Sequence, residues 1–514
     1  SEMCIRDRGT LLQKLAAEHL VEFRKLVGEQ GHTHPLKGTV TWGSMRSGSE
    51  GAHFVLEAAQ AAFTAFGQEL TFEQKFACEI DAAKRDWIDS VINSSRRGAG
   101  LPLICIFIDI KRMGDAYAWC ATHQRQCAVP DCNILFVSTS CKDLSKLCGR
   151  TFEVPVLSMQ TSPGGSADTF RGLLRYLDMH QCGVMIYENS DTLDQPSGKP
   201  DGRQTNMDIF DAELSSRMFE GQSFILNAKL FGVPQNRRRF FAVHVKTGGP
   251  SAIIDCGNRN LADAFGMLRA CVQVCQRRPP SARDILLKDD DPAVEQELLR
   301  RVAMGQPTGS AARGWIVEHQ QLYAQLRLSC GVPPPNSRTT ESPWLETLTP
   351  LCKSTLILHQ HQLLSSSLSF TASGQQRVPN LMIDLSPSAG RLSTSTFDDA
   401  GNDIAPCILP NMNMWLHLEK ERLMVGREAL LFQGFPINCM LEKLSEMPEK
   451  LSQDLAGNAV ALPVSLALLM ATIFSVSWKG TGAAVDGKPV SVSYTHLRAH
   501  ETKANRVCRL LLEK

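Results

Sequence analysis

The 514-residue sequence lacks a dominant charge: 54 Lys and Arg stand against 53 Asp and Glu, a formal net charge of +1. That balance argues against a histone-like or tail-driven nucleic-acid binder and leaves open a local basic face. A disulfide framework is also missing. The 17 cysteines are scattered without the regular spacing of small secreted domains, which favours a reducing, intracellular compartment. No leading apolar segment with a small-residue cleavage site is visible. The most apolar run, LPVSLALLMATIFSV at 462–476, is about fifteen residues long, whereas a bilayer core needs roughly 20. With Pro463 in its first turn it reads as a buried core helix, and no membrane partner is expected. No Gly-x-Gly-x-x-Gly fingerprint is present, which counts against a nicotinamide-dependent oxidoreductase.

Residues 11–27 carry apolar positions at helical spacing and predict an amphipathic helix. From Lys37 short apolar runs alternate with helical segments. Strands are expected at Thr39–Trp42, Lys75–Ile80, Leu103–Ile110, Ile134–Thr139 and Val184–Glu188, and further ones at Ser223–Leu226 and Phe240–Val245. A helix is expected at Ala52–Phe66. Such alternation indicates an α/β domain with a largely parallel sheet. Residues 250–426 mix Pro/Ser-rich stretches with isolated apolar runs and read as a second, smaller, loop-rich domain. The chain thus divides into an N-terminal helix with a foreign leader (1–36), a catalytic domain in two parts (37–249 and 427–480) flanking the loop-rich domain, and a tail (481–514). The opening SEMCIRDR and the stretch from about Ser491 read as translated sequencing adapters.

Open α/β sheets bind ligands beyond the carboxyl ends of their strands. The first strand runs into GSMRSGSEG, a small-residue turn that lets backbone approach a cofactor, with Ser47 and Gly48 at its centre. The second ends in CEID, placing Glu79, with Ile80 beside it, where an acid can hold a ribose diol. The third ends at Asp109. The fourth delivers Cys141 in a polar turn, as a nucleophile is presented, and the fifth delivers Glu188 and Asn189. In FGVPQNRRRFF, Gln235, Arg237 and Arg239 alternate, so a strand there would turn all three to one side.

These residues, in this order, resemble the DNA cytosine-5 methyltransferase family from about Lys37 to Val476. The S-adenosylmethionine loop is similar to GSMRSGSEG, and the catalytic Pro-Cys-Gln loop to Ser140-Cys141-Lys142. The Glu-Asn-Val motif resembles Glu188-Asn189-Ser190, and the Gln-x-Arg-x-Arg motif resembles Gln235, Arg237, Arg239. GREALLFQGFP, with Arg427 and Gln433-Gly434-Phe435-Pro436, resembles the motif that packs the recognition domain. GNAV at Gly457–Val460 resembles the final motif, which completes the cofactor site. Arg46 stands where an aromatic usually packs on adenine.

The resemblance implies a Rossmann-like methyltransferase fold, S-adenosylmethionine as cofactor and a target-recognition domain at 250–426. It implies Cys141 as nucleophile, Glu188 as proton donor to the ring nitrogen, Arg237 as stabiliser of the intermediate and Arg239 as its support. Ser47, Gly48, Glu79, Ile80, Asp109, Asn458 and Val460 are the expected cofactor contacts; Ser145, Asn189 and Gln235 are the expected substrate contacts. Duplex DNA with a flipped cytosine ranks first as partner, RNA second, and a catalytically silent homologue third. A DNA substrate in a eukaryotic cell implies the nucleus. Cys120, Cys127 and Cys132 cluster with His123, but the spacing fits no pattern of paired zinc ligands, so no metal is expected. His359 and His361 read as surface residues.

Overall fold

The structure is a computed structural model that describes residues 11–27, 38–144, 154–159, 165–194, 204–248, 261–305, 314–325, 342–365, 382–386, 394–417 and 420–476. The expected leader and tail and the substrate candidate Ser145 lie outside them.

Nine strands form one sheet: β1 (Gly38–Met45), β2 (Leu70–Cys78), β3 (Cys105–Phe107), β4 (Tyr117–Cys120), β5 (Arg125–Ala128), β6 (Cys132–Ser138), β7 (Cys182–Ser190), β8 (Phe219–Asn227) and β9 (Arg238–Lys246). Their order is β5-β4-β3-β2-β1-β6-β7-β9-β8. The centre, β3 to β7, is parallel; both edges turn antiparallel, through β4–β5 on one side and β8–β9 on the other. The central strands are apolar on both faces because each face is covered. Along β6 and β7, Ile134, Val184 and Ile186 enter one core, while Leu135, Val137, Met185 and Tyr187 enter the other. That is the period-2 alternation of a strand.

The first core is capped by the helices Leu11–Val27, Gly51–Ala65 and Leu462–Ser475, which pack on one another. Thirteen side chains of Leu462–Ser475 are buried, as expected for a core helix. No single described helix is long and apolar enough to cross a membrane. The second core packs Phe170, Leu173, Tyr176 and Leu177 of the helix Ser166–Met179 against the opposite face, with Phe210 and Leu214 of Asn206–Ser215.

Part of the region after 250 packs on the first core. Its first helix, Leu261–Val274, packs on Leu462–Ser475 and on Leu11–Val27 and puts Leu268, Cys271 and Val272 into the first core. It is also more helical than its composition suggested, with Pro292–Met304, Gly314–Gln325 and Pro350–Ser365. Short strands β10 (Met382–Asp384), β11 (Thr396–Phe397), β12 (Asp403–Ile404), β13 (Met414–Leu416) and β14 (Arg422–Leu423) form two small antiparallel sheets. His359 is buried at 2% exposure rather than on the surface, and burial lowers its pKa to about 4.

Candidate active site

The carboxyl ends of β1, β6 and β7 open onto a shared cleft. The turn after β1 forms one wall, through Arg46, Ser47, Ser49 and Glu50. Ser138 and Glu188 form the floor, and Asn458 and Val460 close it from the far end of the chain. Gly48 has φ +50°, in the left-handed region that suits glycine. Its N–H donates to Glu79 at 3.0 Å. Ser47 is pinned to the end of β2: its backbone N–H donates to the Cys78 carbonyl, and its hydroxyl accepts from the Cys78 N–H.

Glu79 is buried, and besides Gly48 it accepts the Asp81 N–H at 3.0 Å. A carboxylate has about four acceptor positions, so two are left for a ribose diol. Asp109 sits at the neighbouring strand end and caps a short turn by accepting the Lys111 N–H at 2.9 Å. These donors and acceptors fit S-adenosylmethionine. Of the expected cofactor contacts, Ser47, Asn458 and Val460 line the cleft; Gly48, Glu79 and Asp109 stand behind its lining, and Ile80, 68% exposed, is also outside it. The Asn458 amide donates to the Asp454 carboxylate at 2.8 Å.

Cys141 is exposed just beyond β6, on a loop fastened from below. The Ser140 N–H donates to the Thr169 hydroxyl at 2.8 Å. Asp143 and Ser166 exchange bonds of 3.2 and 2.8 Å. The Asn189 amide donates to the Thr139 hydroxyl at 3.0 Å and to the Tyr187 hydroxyl at 2.9 Å. Asn189 is 2% exposed, so it braces the nucleophile loop from within, and direct substrate contact is not its role here.

Glu188 lies opposite Ser138 in the parallel β6–β7 ladder. It accepts the Ser138 hydroxyl at 2.9 Å and faces the Arg239 guanidinium at 3.6 Å. Burial works against the charge on Arg239, but Cys407, Glu188 and Cys141 around it outweigh that and hold its pKa above the ordinary guanidinium value. The two arginines are placed differently, with Arg239 beside Glu188 and Arg237 among backbone carbonyls. Arg237 is buried and donates to the carbonyls of Ile408 (2.8 Å), Gly457 (3.0 Å) and Ala459 (2.7 Å). Burial, with the neighbouring Arg239, lowers its pKa. Gln235 is likewise fully buried: it donates to the Phe432 carbonyl at 2.7 Å and accepts the Ile408 N–H at 3.0 Å. Both are positioning residues: Arg237 locks the GNAV turn against the sheet, and Gln235 ties Phe432 to Ile408. Arg239, not Arg237, faces the reacting groups, because β9 begins only at Arg238 and the backbone before it does not alternate like a strand.

A family model described as C-5 cytosine-specific DNA methylase matches residues 121–473. The chain belongs to this family. Among curated relatives, the DNA (cytosine-5-)-methyltransferase DMT5 of Cryptococcus neoformans var. grubii is 25% identical over 446 residues, 84% of this chain. The chain spans 17% of that relative's length. Solved structures similar to it include the S. pombe Dnmt2 methyltransferase (15% identity, TM-score 0.41, 84% of this chain and 97% of that one). The Entamoeba histolytica methyltransferase EhMeth is another (12% identity, TM-score 0.41, 85% and 98%).

As a member of this family the chain carries Ser140 where the resemblance leads one to expect proline. Its N–H bond to Thr169 is one a proline could not donate, so a hydrogen bond takes over the stiffening done by a ring. Two residues of the site escaped the sequence reading. Cys407 places its sulfur 3.6 Å from both Arg237 and Arg239; it comes from an irregular loop with no motif. Glu50, in the first-strand turn, is 1% exposed and receives bonds from Ser44 (3.0 Å) and Gln74 (2.6 Å). Burial pushes its pKa up to about 7 against those bonds. An acid between two small residues at a helix start was the available signal.

Proposed function

We propose that this methyltransferase domain methylates carbon 5 of a cytosine flipped out of duplex DNA, through a covalent bond to Cys141. The observation that carries the reading is the meeting, beyond β6 and β7, of an exposed thiol, the Glu188–Arg239 pair and the cleft lined by Ser47, Asn458 and Val460. Carbon 5 is a weak nucleophile until a thiolate adds to carbon 6. The new sulfur–carbon bond pushes electron density toward the ring nitrogen, where Glu188 delivers a proton. Arg239 steadies the carboxylate that this transfer leaves on Glu188, which takes the proton back from the ring nitrogen when the sulfur–carbon bond finally breaks. S-adenosylmethionine, held by Ser47, Gly48, Glu79, Asp109, Asn458 and Val460, supplies the methyl group. A proton then leaves carbon 5 to water, and the Cys141 sulfur–carbon bond breaks.

The region from about 275 to 425 is the natural place for phosphate and base-edge contacts. A DNA substrate places the protein in the nucleus. The experiment is transfer of labelled methyl to duplex DNA and to tRNA by wild type and Cys141→Ala. Label on DNA that disappears in the variant supports the reading. Label on tRNA alone changes the substrate and keeps the chemistry. Cofactor binding with label on neither overturns it.

A further inference from the structure

We infer that the chain carries a structural zinc site of Cys105, Cys120, His123 and Cys127 at the edge of the sheet remote from β8 and β9. Their ligand atoms all lie within 4.8 Å of one another. The sulfurs of Cys105, Cys120 and Cys127 stand 3.4, 3.3 and 3.6 Å from Nδ1 of His123. A tetrahedral zinc with Zn–S near ~2.3 Å and Zn–N near ~2.05 Å separates sulfur from nitrogen by about 3.6 Å. The three observed spacings agree with that edge.

Hydrogen bonding alone does not account for the cluster. A neutral imidazole nitrogen either donates once or accepts once, whereas three sulfurs converge on this one. All three cysteines are free. Soft thiolates with one imidazole select zinc over magnesium or calcium, and four protein ligands leave no open coordination position, the mark of a structural site.

The fold explains why the set is discontinuous in sequence. Cys120 ends β4, His123 lies in the turn, Cys127 is on β5, and Cys105 begins β3 across the ladder. Cys132, which clusters with these residues in sequence, starts β6 and lies 3.4 Å from the Tyr176 hydroxyl instead. The β4–β5 hairpin is joined to the sheet by a single Cα pair, Phe107 with Cys120, while four pairs join β4 to β5. A metal bound through Cys105 clips this loosely attached hairpin to β3, four residues before Asp109.

The test is elemental analysis of the full chain purified without an affinity metal, alongside Cys105→Ser, Cys127→Ser and Cys132→Ser. Expected is one zinc per chain in wild type and in Cys132→Ser, and its loss in the other two. A folded wild-type chain without a thiophilic metal, or a zinc that survives both ligand substitutions, would overturn the site. Should those variants fail to fold, cobalt added to metal-stripped wild type decides. Intense visible bands of tetrahedral cobalt thiolate support the site, and a pale octahedral spectrum refutes it.

Discussion

Replacing Glu50 by Gln should raise stability at alkaline pH and leave it almost unchanged at acid pH. Gln mimics the protonated acid and can keep the bonds from Ser44 and Gln74. Burial raises the Glu50 pKa from its ordinary 4.5 to about 7 in the folded chain. Below 4.5 both folded and unfolded states hold the proton, and nothing is lost. Between 4.5 and 7 the unfolded state releases it first, so the folded state loses ground as pH rises; above about 7 the loss is complete. At ~1.4 kcal/mol per pH unit the gap corresponds to something on the order of 3 kcal/mol. Glu449 is also raised to about 7 by burial and by Glu297, so wild type alone mixes two titrations. The comparison of variant with wild type removes that second contribution. Melting temperature without cofactor, measured for both from pH 5 to pH 8, is the assay. A gap that widens with pH, in favour of the variant, is expected. A gap independent of pH, or a variant that melts lower at pH 8, would refute the reasoning.

Arg239→Ala should lower methyl transfer at least tenfold with little change in melting temperature, since the side chain faces Glu188 and Cys407 at the site. Arg237→Ala should instead destabilise the fold and weaken cofactor binding, because three backbone carbonyls lose their donor. Turnover and melting curves for the pair separate the two roles. Glu428→Gln should cost roughly 3–5 kcal/mol in urea denaturation. The Glu428 carboxylate is fully buried, pairs through both oxygens with Arg422 at 2.8 and 2.9 Å, and also accepts the N–H groups of Leu287 and Val425.

The parallel strands were legible because they are apolar runs bounded by turns, and the site acids could be placed because such strands deliver them to one end. The β4–β5 hairpin was not legible. Along β4, Tyr117 and Trp119 are exposed while Ala118 and Cys120 are buried, but all four are apolar, so no polar–apolar alternation marks the strand, and β5 is mostly exposed. With the hairpin unseen, Cys105 had no reason to join His123. The different placement of Arg237 and Arg239 has another cause. Period 2 holds only inside a strand, and a two-residue error at the start of β9 decides which guanidinium reaches Glu188. Asn189 and Gln235 were found as positions, but their burial depends on partners as distant as Phe432, which no local pattern encodes.

Arg237 reaches carbonyls 220 and 222 residues downstream, and this shapes how the protein can be made and how it can change. During synthesis the wall of the cleft formed by Asn458 and Val460 emerges after the other walls, so the cofactor site is assembled only once both parts of the catalytic frame have been made. Until then one face of the sheet lacks its most apolar cover, the helix Leu462–Ser475, and is open to wrong partners. Closing so long a loop is nonetheless tolerant of its length, since each doubling adds only about 0.6 kcal/mol. The stretches between β9 and the returning motif that make no such contacts can therefore be lengthened at small thermodynamic cost, provided that the helix Leu261–Val274 and the Cys407–Ile408 stretch bonded to Arg237 and Gln235 stay in place. The catalytic frame can keep its chemistry while its target changes.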